Sequence, residues 1–143
     1  MGRKLLWLDD YRDPFINLEN RVPPGFDEII WVKNYSEFVN VLTDDYRSIS
    51  AISFDHDLAD SHYTPEHLWS DYDASKEWQD AQIHIEKTGY ECAKWLVDFV
   101  IDNDLTIPEI FIHSANPVGA DNIKFYLNNY LKNYESGRNY RII

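Results

Sequence analysis

The sequence predicts an α/β domain: a parallel sheet of strand order 2-1-3-4-5, sandwiched between helices in three layers. Three observations carry that expectation. Short apolar runs alternate along the chain with segments of helical spacing, as right-handed β-α-β units require. The runs are continuous rather than alternating apolar with polar, which marks strands buried on both faces. Three of them also stop at polar clusters. Lys4–Leu8 (KLLWL) stops at Asp9-Asp10, residues 50–54 (SAISF) at Asp55-His56-Asp57, and Glu109–Ile112 (EIFI) at His113-Ser114-Ala115-Asn116. In open parallel sheets the ligand crevice lies at the carboxyl ends of the strands.

The elements follow in order. Lys4–Leu8 is the first strand. Asp13-Pro14 offers a helix cap with Pro at the first helical position, and the segment after it is short, ending at residues 21–25 (RVPPG). Glu28–Val32 (EIIWV) is the second strand. Residues 34–37 (NYSE) resemble a capping box, and Phe38, Leu42 and Tyr46 then recur at helical spacing. Residues 49–54 are the third strand. A long insertion at about 58–87 shows little periodicity and holds Tyr63, Trp69, Tyr72 and Trp78. Loops of that length are uncommon in compact domains and tend to be lids or binding loops. Thr88-Gly89-Tyr90-Glu91 is a T-x-x-E capping box, and its helix buries Cys92, Leu96, Phe99 and Val100. Residues 109–113 are the fourth strand. Asn116-Pro117 caps a last helix, whose face is Ile123, Leu127, Tyr130, Leu131 and Tyr134. Gly137 ends that helix, and residues 140–143 (YRII) can add an edge strand.

Length and composition narrow the function. At 143 residues, 44% of them hydrophobic, the chain fits one domain, residues 1–143, with a real core. A net charge of −12 repels a phosphate backbone and argues against duplex nucleic acid as partner. It argues less against a small phosphate ligand, because a metal ion reverses the local sign. One cysteine excludes an intramolecular disulfide and a cysteine-based zinc site. No apolar stretch approaches the ~20 residues of a membrane span, and a cytoplasmic location is expected.

The polar clusters carry the chemistry. Asp9, Asp10 and Asp55 are expected at adjacent strand ends. Two carboxylates ~5 Å apart repel by roughly 3 kcal/mol at an effective dielectric of 20. A hard cation such as Mg²⁺, or another divalent ion, relieves that repulsion; helix capping is the plainer role for such acids. His56 and His113 would act as general base and acid on a phosphate, with Asp57 orienting His56 or completing the metal shell. The plainer alternative is a histidine turned inward and hydrogen-bonded. Arg12, Ser114, Asn116 and Thr88 form the phosphate-holding set, Arg12 through its planar guanidinium and Ser114 and Asn116 at a helix start. Their plainer roles are an ion pair for Arg12 and a cap for Asn116. His62, His67 and His84 carry no ligand spacing and are expected at the surface. Trp69 and Trp78 could stack on a base or pin the insertion.

The segments LWLDDYR (6–12), SFDHDL (53–58), KTGYECAKWL (87–96) and FIHSANPVGADNI (111–123) together resemble the cyclic-phosphate-processing receiver domains, small proteins of bacteria and phages. The resemblance implies a receiver-like, flavodoxin-type sheet. It also implies a phosphoesterase that processes a cyclic phosphate, on a cyclic nucleotide or an RNA end. Against phosphoacceptor receivers, Asp9-Asp10 match the metal-binding acids, Asp55 the phosphoacceptor and Ser114 the hydroxyl after the fourth strand. No Lys-Pro follows a fifth strand, where Arg141 stands instead. A partial likeness to haloacid-dehalogenase phosphatases, through Asp55-x-Asp57, lacks the downstream acid pair. The alternative function is a non-catalytic, degenerate receiver that binds a nucleotide or a protein partner.

Overall fold

Four of the apolar runs pair side by side in the computed structural model, which describes residues 2–16, 22–58, 73 and 88–134. They are β1 (Lys4–Leu8), β2 (Glu28–Val32), β3 (Ala51–Phe54) and β4 (Glu109–Ile112). All pairings are parallel and the order is β2-β1-β3-β4. The expected insertion lies outside the described residues apart from Leu58 and Asp73, and so do Gly137 and the expected edge strand at 140–143. The brief helix expected after Asp13-Pro14 is, as far as residue 16, a turn: Asp13 Oδ1 accepts from the Phe15 amide at 2.8 Å.

Period-2 alternation divides the sheet into two faces. Leu6, Leu8, Val32, Ile52, Phe54 and Ile110 face one way and join the main core. Three helices cover them: α1 (Tyr35–Asp45), α2 (Gly89–Asp102) and α3 (Pro117–Tyr134). α1 contributes Phe38 and Leu42, one helical turn apart. α2 contributes Cys92, Ala93, Leu96, Val97 and Val100, and α3 contributes Ile123, Leu127, Tyr130 and Leu131. Burying each large aliphatic or aromatic chain is worth about 1.5–3 kcal/mol. Leu5, Trp7 and Ala51 face the other way, where Val22, Phe26, Ile29, Trp31 and Phe111 pack on them.

The helix starts are local solutions to the orphan amides of a first turn. Asn34 Oδ1 accepts from the Glu37 amide at 2.9 Å, and the Glu37 carboxylate reaches back to the Lys33 amide at 3.3 Å. Asn116 Oδ1 accepts from the Gly119 amide at 3.1 Å, ahead of Pro117. Thr88 behaves differently from the expected capping box, since its side chain makes no cap hydrogen bond. The start of α2 is docked on the end of β3 instead, with the Gly89 amide donating to the His56 carbonyl at 2.8 Å. A Cβ on Gly89 would overlap the Asp55 carbonyl oxygen, so only glycine permits that approach.

Candidate functional site

Register brings the polar clusters to one rim. Leu8 pairs with Val32 and Phe54, and Phe54 pairs with Ile112, so these strands end level. The ladder then runs one residue further. The amides of Asp9, Asp55 and His113 donate to the carbonyls of Val32, Leu8 and Phe54, each at 3.0 Å. Residues 104 positions apart in sequence thereby become neighbours: His113 Nε2 lies 3.0 Å from Asp9 Oδ2.

Asp9 is fully buried and held from several directions. Its Oδ1 accepts from the Tyr11 and Arg12 amides at 2.9 and 2.8 Å, folding the chain back in a tight turn. Its Oδ2 accepts from His113 and, at 3.3 Å, from the Arg12 guanidinium. Two indoles brace the same turn. Trp31 Nε1 donates to the Asp9 carbonyl at 2.6 Å and Trp7 Nε1 to the Arg12 carbonyl at 2.9 Å. Burial pushes the Asp9 carboxyl up. The His113 hydrogen bond, the Arg12 and Tyr11 amides and the His113 charge together outweigh burial and hold it below the usual carboxylate range.

Asp55, on the neighbouring strand, has the opposite balance. Burial and the Asp9 charge raise its carboxyl from 3.8 to about 7, against the lowering effects of Arg12, the His56 amide and Ser114. One carboxylate oxygen from each of Asp9, Asp10 and Asp55 falls within a 4.8 Å span. The Arg12 guanidinium is the nearby countercharge, 3.3 Å from Asp9 and 3.9 Å from Asp55. These four residues, with Tyr11, Asp57 and Ala115, line a cleft of about 240 Å³.

The two histidines lie on opposite sides of this rim. His56 Nδ1 pairs with Asp57 Oδ1 at 2.8 Å, and its ring lies against the backbone of Gly119 in the first turn of α3. Asn116 Nδ2 approaches Asp57 Oδ2 at 3.5 Å, and Ser114 Oγ accepts from the Asn116 amide at 3.1 Å. His113 lies toward the other face, stacked on Trp7 with ring centroids 3.7 Å apart, and is only 8% exposed. Its second nitrogen, Nδ1, is 2.6 Å from the hydroxyl of fully buried Ser53. Both ring nitrogens of His113 are therefore engaged. Its Nε2 carries the proton given to Asp9, because a carboxylate only accepts. Thr88 adjoins the same end of β3 through Gly89.

Sequence reasoning did not single out Ser53, Trp7, Trp31 or Tyr11. A usable signal was present for Trp7 and Ser53. Trp7, Ser53 and His113 share the parity that places them on one face, and a buried indole N–H must find an acceptor.

The family model described as the cyclic-phosphate processing receiver domain matches residues 4–129. The chain belongs to that family. No curated protein and no solved structure matches it at a significant level.

The receiver-type rim has the donor set of a divalent-cation site. An octahedral Mg²⁺ with oxygens at about 2.1 Å places its ligands roughly 3–4 Å from one another. The 4.8 Å span of the three acids needs only small side-chain shifts to reach that. The raised Asp55 carboxyl is the electrostatic counterpart, a buried negative charge that a cation would relieve. Among the described residues, no helix is long and apolar enough to cross a membrane.

Proposed function

We propose that this rim is a phosphoesterase site that opens a cyclic phosphate carried on a nucleotide or an RNA end. The observation that carries the reading is the convergence of Asp9, Asp10 and Asp55 within 4.8 Å, in a chain of the cyclic-phosphate processing receiver family. A divalent cation held by these acids would polarise a phosphate oxygen and offset its charge against the acidic surface. Arg12, already poised over Asp9 and Asp55, would turn its guanidinium to the non-reacting phosphate oxygens. Ser114, Asn116 and Thr88 stand at the starts of the helices that meet the rim and would complete the phosphate cradle.

Proton transfer falls to His56. Asp57 holds its Nδ1, so Nε2, which has no hydrogen bond among the described residues, is the atom to work. It would take a proton from the attacking water and return it to the ribose oxygen released when the P–O bond of the ring breaks. His113 has a different part. Buried and engaged at both nitrogens, it positions Asp9 rather than touching substrate.

The test is hydrolysis of 2′,3′- and 3′,5′-cyclic nucleotides with Mg²⁺ and with EDTA. The reading expects turnover of at least one isomer that requires the cation and falls by about 10²-fold or more in His56→Ala. Tight binding without turnover would favour a ligand-binding receiver instead.

A further inference from the structure

We propose that the Tyr11 ring is a stacking platform for a nucleobase, so that the site selects cyclic phosphates carried on a nucleoside over those without a base. The inference rests on the cyclic-phosphate reading of the same cleft and names the organic part of its ligand. Apart from Ala115, Tyr11 is the one residue among those described around the cleft that carries no charged side chain. Tyr11 also supplies the one ring there.

Size points the same way. At about 240 Å³ the cleft is smaller than the roughly 300–1,000 Å³ of sites that enclose a whole drug-sized ligand. It suits a cyclic phosphate and an ion, and leaves the remainder of the ligand on the rim. That rim is where Tyr11 stands, 87% exposed. The ring makes no aromatic contact and the hydroxyl no hydrogen bond among the described residues. Its backbone, by contrast, is fixed: the Tyr11 amide donates to Asp9 Oδ1 at 2.9 Å, and the flanking turn is braced by Trp7 and Trp31. A large ring on a rigid backbone at the mouth of a polar cleft offers contact area at low entropic cost. The same loop exposes Phe15 and Ile16, at 67% and 62%, so its apolar character extends beyond one residue.

Charge supplies the need for such a contact. The chain carries −12, so a nucleotide gains little from the general field and must be held by the local cation, Arg12 and apolar contact. Stacking suits this because every base has a π-face, and one ring can serve several nucleotides.

The experiment uses the full chain as wild type, Tyr11→Ala and Tyr11→Trp, with Mg²⁺. Two probes share the strained five-membered diester: adenosine 2′,3′-cyclic phosphate, and 1-O-methylribose 2,3-cyclic phosphate, which lacks the base. KM is measured by turnover and Kd by calorimetry. The readout is the ratio between the two probes. Tyr11→Ala should shift that ratio against the base-bearing probe by about 5- to 100-fold, and Tyr11→Trp should restore it. An unchanged ratio in Tyr11→Ala overturns the platform, even where the wild type hydrolyses both probes and the phosphoesterase reading stands. The expected Kd ratio without turnover of either probe would support the platform and end the phosphoesterase reading for the five-membered diester. Absence of binding to either probe ends both.

Discussion

Replacing Asp55 by Asn should stabilise the cation-free protein above neutral pH, the reverse of what loss of a buried hydrogen-bonded group usually does. Burial and the Asp9 charge raise this carboxyl from 3.8 to about 7. Between those values the folded protein keeps a proton that the unfolded chain has released. Stability therefore falls as pH rises from about 4 through 7, and the full penalty remains above the folded value. About three pH units at 1.36 kcal/mol each give a ceiling of roughly 4 kcal/mol. The net gain is smaller, because Asn gives up the attraction to Arg12, 3.9 Å away. Urea unfolding of both proteins in EDTA at pH 5 and pH 8 reads the effect. The variant's advantage should grow by roughly 2–3 kcal/mol between the two pH values. Millimolar Mg²⁺ at pH 8 should then raise the wild-type midpoint far more than the variant's, since binding to the folded state stabilises by mass action. A variant less stable than wild type at pH 8, or an advantage that does not change with pH, would refute the reasoning.

Three further substitutions separate positioning from folding. Gly119→Ala places a methyl group where the His56 ring now lies, while Ala is the better helix former by about 1 kcal/mol. Thermal unfolding should therefore move little, while kcat for a cyclic nucleotide falls at least tenfold. His113→Ala leaves Asp9 a buried charge short of a partner and opens a void beside Trp7. It should cost about 3 kcal/mol or more in urea unfolding, and Asp9→Asn in the same chain should recover part of that. Arg12→Ala removes the built-in countercharge that competes for the oxygens of Asp9 and Asp55. Calorimetry should show Mg²⁺ bound about tenfold more tightly, together with a raised KM for the cyclic phosphate.

The frame of the site was legible because burial on both faces leaves a plain mark. The runs KLLWL and EIIWV are β1 and β2 to the residue, and the fourth strand ends at Ile112, one residue short of the expected 113. The third strand begins at Ala51 rather than 49, because Ile49 still closes the turn that follows α1: its amide bonds the Tyr46 carbonyl, and the backbone reaches the sheet only at Ser50, which bonds Lys4 and Glu109. Parallel pairing in the order β2-β1-β3-β4 then sets Asp9, Asp55 and His113 level. The directions of the side chains beyond the strand ends were harder to read. Strand parity continues through His113, which joins Phe111 and Ser53 on the Trp7 face, whereas His56 turns to the α3 side. A reading by position along the rim treats the two imidazoles alike, and their hydrogen-bond partners make them different. Thr88 shows the same limit at a helix start. Its T-x-x-E spacing is a valid local signal, but the contact of Gly89 with β3, a tertiary feature, determines how α2 begins.

The central claim is that three strand-end acids form a cation-dependent centre for opening a cyclic phosphate. The most direct measurement follows adenosine 2′,3′-cyclic phosphate by ³¹P NMR in the presence of the protein and Mg²⁺. The account predicts that the cyclic diester resonance gives way to a single monoester, that EDTA halts the conversion, and that Asp10→Asn, equally folded, leaves the diester intact. A diester that persists with stoichiometric wild-type protein and Mg²⁺, or a conversion that Asp10→Asn carries out at the wild-type rate, would contradict it.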